Sequence, residues 1–269
     1  MTYDSPFILR YLWPCNLDEV FLTYDPALDF SVPGEFNNAA IDAWEKTNAL
    51  RKNQGLGPLE PNPLYRPGKF GINQNRLLIS AGITTYFDNF FLEKTSAGRS
   101  LGILSGGGIS IVPVCKDGET LIGKRSGLVA SHAGFFHVAG GHAHPSSSFR
   151  EQPDTFHFWV EEELMEEMFI GKSDIRRLTF LGMAVDTTTS KPEWIIRAEL
   201  KGTSEFYINR WEKNRKDDSE FTLLSTLHKE LVAHVGDHQS FVLERLKDLS
   251  RDFTPACQAA LTAHFLCAD

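Results

Sequence analysis

The stretch from Glu161 to Glu167 holds five glutamates. On a helix turning about 100° per residue, Glu163, Glu166 and Glu167 share one narrow face. Leu164, Met165, Met168, Phe158 and Phe169 fall on the opposite arc, so one side reads as core and the other as a carboxylate stripe. Like charges at i, i+3 and i, i+4 repel, by roughly a few tenths of a kcal/mol per solvated pair. No lysine or arginine stands at i±4 on that face to relieve them. A hard divalent cation would, because carboxylate oxygens suit Mg²⁺, Mn²⁺ or Ca²⁺ better than soft metals. The competing reading is a solvated helix whose acids complement the dipole at its N-terminus. The striped arrangement, and a short strand upstream ending in Gly140-Gly141, favour the cation.

The charge of the chain supports a local cause. Its 269 residues include 27 bases and 35 acids, a formal charge of −8. Between Glu151 and Asp174 there are eight acids and one base, which gives −7 and leaves −1 for all the rest. No basic stripe offers itself to a nucleic-acid backbone. No apolar run approaches the ~18 residues of a membrane span. The N-terminus lacks a basic region ahead of an apolar stretch, so no signal peptide is expected. The four cysteines are scattered without a CxxC pair, as expected of a reduced, cytoplasmic chain. His132, His137, His142, His144 and His157 cluster in sequence, but without H-x3-H spacing or a cysteine pair they give little support to structural zinc.

The elements that must position the stripe follow from pattern. Two regions are expected, a smaller α+β N-terminal domain over 1–100 and a second domain over 101–269. In the first, Phe7–Leu12, Glu19–Tyr24 and Arg76–Thr85 read as strands, and Phe36–Arg51 and Tyr86–Glu93 as helices. Four prolines between Gly55 and Gly68 predict an ordered loop. Ser96 to Gly108, with Gly106-Gly107-Gly108, reads as a linker. In the second, Ile109–Cys115 and Thr120–Arg125 flank Asp117-Gly118 as a hairpin. Short strand Phe135–Ala139 leads to Gly140-Gly141. The acidic helix covers Phe158 to Ile170, with Gly171 as its cap. Strands are expected at Leu178–Val185 and Glu193–Leu200, and helices at Thr222–His234, Ser240–Leu249 and Pro255–Cys267, the last capped by Thr254. Strands mixed with covering helices predict an α/β sandwich.

Gly140-Gly141-His142 followed by Glu162-Glu163-Leu164-Met165-Glu166-Glu167-Met168-Phe169-Ile170 resembles the Nudix box, G-x5-E-x7-R-E-U-x-E-E-x-G-U with U apolar. Glu163, Glu166 and Glu167 match its acids, and Leu164 and Ile170 its apolar positions. Glu162 stands in place of the motif's arginine and Phe169 in place of its last glycine. Gly141 and Glu162 are 21 positions apart instead of 14, so the loop carries seven extra residues. The motif's first glutamate has no clear counterpart: counting forward reaches Ser147, counting back Asp154. Ala40–Glu45, Gly82–Asp88, Ala139–Pro145 and Gly182–Ala184 before Asp186-Thr187 resemble the divergent UDP-glucose-hydrolysing Nudix proteins of animals, a likeness running from about Ala40 to Leu200.

The resemblance implies an α/β/α sandwich with a mixed sheet behind a smaller N-terminal domain. It implies a hydrolase that uses Mg²⁺, with Mn²⁺ as an alternative, to cleave UDP-glucose or UDP-galactose into UMP and sugar 1-phosphate. Glu163 and Glu167 would be the principal metal ligands, Glu166 would complete the site or help deprotonate water, and the Gly141 carbonyl would add a ligand. Arg125, at a strand end, has a guanidinium fork that matches phosphate. Asp186, Thr187 and Glu193 lie where loops follow strands, His142 borders the same loop, and Tyr65 and Tyr86 are aromatic candidates for stacking on a base. The other readings are a Nudix hydrolase of ADP-ribose, a dinucleotide or coenzyme A, and a non-catalytic nucleotide-binding domain. The expected partner is a small nucleotide substrate, not nucleic acid or membrane.

Overall fold

A computed structural model describes residues 6–127, 132–150, 154–216, 221–227 and 253–267. Its larger sheet is mixed. From one edge inward run β1 (Phe7–Asn16), β9 (Ile175–Asp186), β10 (Pro192–Leu200) and β5 (Gly108–Val114), then β6 (Thr120–Arg125) and β11 (Phe221–Leu227). The β10–β5 pair is parallel and the other pairs are antiparallel. Two short strands complete it: β7 (Phe136–His137) on β6, and β8 (Ala139–His142) on β5.

Alternation along the strands gives the sheet two apolar faces. Ile109, Ile111, Trp194 and Ile196 pack with Trp159, Val160, Leu164 and Met168 of α4 (His157–Met168). Val112, Leu181 and Ile195 point the other way, against Cys257, Ala260 and Leu261 of α6 (Pro255–Leu266). The result is the expected α/β sandwich, a mixed sheet with a helix on each face. Thr254 caps α6 by accepting the Cys257 N–H at 3.1 Å, as its sequence signature predicts.

A three-stranded sheet, β2 (Val20–Tyr24), β4 (Arg76–Thr85) and β3 (Pro63–Asn73) in that order, forms the smaller unit. α1 (Asn37–Asn53), α2 (Tyr86–Lys94) and α3 (Ser96–Ser100) accompany it. Thr85 and Asp88 close a capping box at the start of α2. Prolines 63 and 67, expected in a loop, lie in β3 instead; β3 is an edge strand, where a missing N–H is tolerated.

The division at residue 100 does not follow the sheets. β1 pairs with β9, from Phe7 opposite Asp186 to Asn16 opposite Thr179, so the first strand belongs to the large sheet. Leu17, Val20, Leu22, Tyr65 and Ile79 pack in the same core as Ile109, Trp159 and Trp194. The glycine triplet is no slack linker either. Gly106, Gly107 and Gly108 are buried, and a Cβ on Gly107 would lie 2.6 Å from the Trp194 indole. The Gly107 N–H donates to the Tyr65 carbonyl at 2.7 Å, and its carbonyl accepts the Ala143 N–H at 3.2 Å. These glycines permit close approach.

Two ends differ from the sequence pattern. Thr222–Leu227, expected to open a helix, belongs to β11, because an edge of β6 is there to bond it. The remainder of that expected helix and Ser240–Leu249 lie outside the described residues. α4 stops at Met168, because Phe169 takes the left-handed conformation (φ 56°) and Gly171 is not the cap. The Phe169 N–H reaches the Met165 carbonyl at 3.1 Å, and the Ile170 N–H reaches that of Leu164 at 3.0 Å. The position where the Nudix motif carries glycine thus keeps the backbone that glycine would favour. Replacing Phe169 by alanine or by glycine removes the same ring, but only alanine retains a Cβ in a left-handed residue. Phe169→Gly should be more stable than Phe169→Ala by about 1 kcal/mol in urea unfolding. Equal stabilities, or a more stable alanine variant, would contradict the left-handed cap.

Candidate functional site

The rotation of α4 is set by its apolar side, since Leu164 and Met168 are fully buried. The opposite side then meets β8. A Cβ on Gly141 would run into the Glu163 carboxylate, so the missing side chain leaves the space this carboxylate fills. Glu167 is buried, and its Oε2 accepts the Gly140 N–H at 2.8 Å. Its backbone carbonyl accepts the Trp211 indole N–H at 3.1 Å, from α5 (Ser204–Asn214). Glu166 is exposed. Glu163 and Glu167 therefore meet the Gly-Gly end of β8, and Glu166 stands on the same helix toward solvent.

Glu163 and Glu166 line a cavity of about 430 Å³ that also reaches Gly140, Gly141, His142 and Arg125. Its far walls are built by Asp186, Lys191 and Glu193, by Tyr86 and Glu93 of α2, and by the first residues of α6. A cavity of about 230 Å³ adjoins it, and Tyr86, His142 and His144 line both. The Tyr86 and His142 rings meet edge to face, with centroids 5.3 Å apart.

The structure thus brings Glu163, Glu166, Gly141, Arg125, His142, Asp186, Glu193 and Tyr86 to one cavity. Asp186 is partly committed to its own turn, where Oδ1 accepts the N–H groups of Thr188 (2.7 Å) and Thr189 (3.0 Å). Thr187 is exposed and is not among the residues lining the cavity; its N–H donates to the Pro6 carbonyl at 3.0 Å. Tyr65 is not brought there. It is fully buried, edge to face with Phe149 and Trp159, and its hydroxyl donates to Asp154 at 2.6 Å. It cannot stack on a base without leaving the core.

Sequence reasoning missed Glu93 and Lys191. Burial alone would lower the Lys191 pKa, but Glu193 and Glu93 outweigh it and hold the ammonium above its ordinary value. The Glu193 carboxylate lies 2.8 Å from Lys191 Nζ and occupies the place a side chain on Gly108 would need. Burial raises Glu93, against the pull of Lys191 and a hydrogen bond from Ser105. No local signal marks either residue, because the partners that define them are remote in sequence.

Of the five histidines, His132, His137, His142 and His144 line the cavity and His157 does not. His157 lies 3.1 Å from Asp18, and His144 Nδ1 lies 3.1 Å from the Pro63 carbonyl. Among the described residues no three His, Cys, Asp or Glu side chains converge so as to hold a metal ion by themselves. The hard-oxygen donors at the β8 end nonetheless suit Mg²⁺, which is usually held by one or two carboxylates plus waters and phosphates and not by an all-protein cage.

No family model matches the chain, and no curated protein matches it. It is similar to solved structures of three proteins. DR0079 from Deinococcus radiodurans is 15% identical, over 52% of this chain and 80% of that one, with a TM-score of 0.34. The MutT protein from Methanosarcina mazei Go1 is 19% identical, over 54% and 94%, with a TM-score of 0.31. A Nudix-family hydrolase from Clostridium perfringens is 14% identical, over 60% and 97%, with a TM-score of 0.32.

Two buried imidazoles tie stability to pH. His137 Nδ1 lies 2.7 Å from Thr254 Oγ1, and burial, then Arg125 and Lys191, hold its pKa well below the usual value. Burial, then Arg197, lowers His264 on α6 to about 4. Both folded values lie below the unfolded value of about 6.5. Above about pH 6.5 neither state carries these protons and stability is full. Below it the unfolded chain binds them first, so stability falls by up to ~1.4 kcal/mol per pH unit per histidine. For His264 that loss runs down to about pH 4. Urea titrations from pH 7.5 to 5 should show a shallower slope for His264→Gln than for the native chain. Identical slopes would show that His264 is not held neutral.

Proposed function

We propose that the chain is a divalent-metal-dependent Nudix hydrolase acting on a nucleoside diphosphate linked to a sugar, converting UDP-glucose or UDP-galactose to UMP and sugar 1-phosphate. The observation that carries this reading is the Glu163 carboxylate in the space left by Gly141, with Glu166 lining the same cavity and Glu167 bonded to the neighbouring Gly140 N–H. Glu163, Glu166, Glu167 and the Gly141 carbonyl would hold Mg²⁺ or Mn²⁺. Bound there, the cation would neutralise phosphate oxygens and lower the pKa of water. The volume is that of a small-ligand site and suits a nucleotide derivative better than a polymer.

The side chains then have separable tasks. Water attacks one phosphorus, the bridging P–O bond breaks, and the bridging oxygen departs with one product. Glu166, in the cavity and exposed, is placed to accept a proton from that water. Arg125 offers its fork to phosphate oxygens and so fixes the diphosphate in line. His142 and Tyr86 form one wall, and Asp186 and Glu193 another, to orient the groups on either side of the diphosphate. Among the described residues no helix is long and apolar enough to cross a membrane. The free state of all four cysteines supports a reducing, cytoplasmic setting.

Incubation of the purified chain with UDP-glucose and Mg²⁺, followed by chromatography of the nucleotides, should yield UMP, and EDTA should abolish the reaction. Glu163→Gln and Glu167→Gln keep the shape of each side chain and should each lower kcat by about 100-fold or more. Faster turnover of ADP-ribose, a dinucleotide or coenzyme A would correct the substrate. No turnover across that panel, by the native chain or either variant, would leave a nucleotide-binding domain without catalysis.

A further inference from the structure

One group of charged side chains in the cavity has no part in metal binding or phosphate attack. Lys191 stands between two glutamates from different units of the fold. Glu193, on β10, pairs with its Nζ at 2.8 Å through Oε1 and accepts the Ser110 hydroxyl at 3.2 Å through Oε2. Glu93, on α2, attracts the same ammonium from the smaller unit. Its Oε1 accepts both the Asn89 amide at 3.0 Å and the Ser105 hydroxyl at 3.0 Å. All three side chains line the cavity.

The charges decide what this group can recognise. Lys191 and the Ser105 hydrogen bond favour an ionised Glu93 against burial; with both glutamates ionised the group sums to −1, and a phosphate placed here meets net repulsion. An uncharged hydroxyl meets none. Glu93 Oε2 remains to accept a hydrogen bond, and an ammonium with three hydrogens still has donors beyond the one given to Glu193. An acceptor and a donor lining one cavity suit neighbouring hydroxyls on a ring. Tyr86 is seven residues before Glu93 on α2, on the same helical face, and lines the same cavity, where its ring can cover an apolar ring face.

We propose that Glu93, Lys191 and Glu193 form a hydroxyl-reading subsite that selects an uncharged ring with vicinal hydroxyls, a hexose or a ribose, as part of the substrate. This subsite rests on the hydrolase reading of the cavity, and it makes the smaller unit a determinant of specificity. A site built to bond hydroxyls loses most of its affinity when those bonds cannot form.

The test is calorimetric titration of the full chain, in EDTA so that nothing is turned over, with UDP-glucose, UDP and inorganic pyrophosphate. Glu93→Gln keeps size and packing; Lys191→Met removes the donor, and if it fails to fold, Glu93→Gln decides alone. Each folded variant should lose tenfold or more in affinity for UDP-glucose and twofold or less for pyrophosphate. An unchanged affinity for UDP then assigns the subsite to the hexose, and an equal loss for UDP assigns it to the ribose. Variants that bind UDP-glucose as the native chain does, or lose pyrophosphate as severely, would overturn the subsite and leave the hydrolase reading standing. A native chain that binds none of the three in EDTA or with Mg²⁺ present, and releases no UMP from UDP-glucose, would overturn both.

Discussion

Two carboxylates occupy positions where a sheet ordinarily carries Cβ atoms, and much of the site depends on that substitution of space. Gly108 on β5 gives its room to Glu193, and Gly141 on β8 gives its room to Glu163. These strands are paired, with Gly108 opposite His142 and Ile109 opposite Gly141, so the two openings lie at the same end of the sheet on its opposite faces, and the cavity reaches both. A charged group can stay against a sheet only if its approach is unhindered and its oxygens are engaged. The glycines supply the first condition. For Glu193, Lys191 and Ser110 supply the second. An alanine at either position would push a carboxylate away and change the cavity before any catalytic group was altered.

The same constraint reaches back into the core. Glu163 can face Gly141 only because Leu164 and Met168, on the other side of α4, fix the rotation of the helix. On the opposite wall, α2 is held by its capping box and by Asn89, whose Oδ1 accepts the Gly106 N–H. That bond joins the helix carrying Tyr86 and Glu93 to the buried glycines preceding β5. The smaller sheet shares the core of the larger one, while Phe91 and Leu92 of α2 pack in a separate cluster with Ala40 of α1.

What the sequence made legible was local and periodic. The carboxylate stripe of α4 is visible because 3.6-residue spacing separates Glu163, Glu166 and Glu167 from Leu164 and Met168. Thr254-Pro255 marks the start of α6 by cap chemistry alone. Legibility fails where long-range pairing decides. Phe221–Leu227 is a strand because β6 has an edge for it, and nothing within the segment announces that edge. Gly106-Gly107-Gly108 reads as slack until Trp194 and Glu193, far along the chain, are seen to need the space. Tyr65 reads as a free aromatic until Asp154 and Trp159 enclose it. The Glu93–Lys191 attraction joins residues almost a hundred positions apart, and no window of sequence contains both.

The departures from the Nudix motif also have structural reasons. Phe169 replaces a glycine yet keeps φ at 56°, and the cost of a left-handed phenylalanine is offset from outside the helix. Arg210 of α5 donates to the Phe169 carbonyl at 3.1 Å, pairs with Asp174 at 2.6 Å and lies over the Phe206 ring. The turn is clamped by a neighbour instead of being relaxed by glycine. Asp154 stands in the loop between Gly141 and Glu162, which is seven residues longer than the motif's. Asp154 exchanges backbone hydrogen bonds with Leu22 of β2, at 2.8 and 3.0 Å, and accepts the Tyr65 hydroxyl of β3. The longer loop is therefore a strap binding the smaller sheet to the base of α4. The loop that departs most from the motif thus adds a tie between the two units, beside their shared core and the Asn89–Gly106 bond.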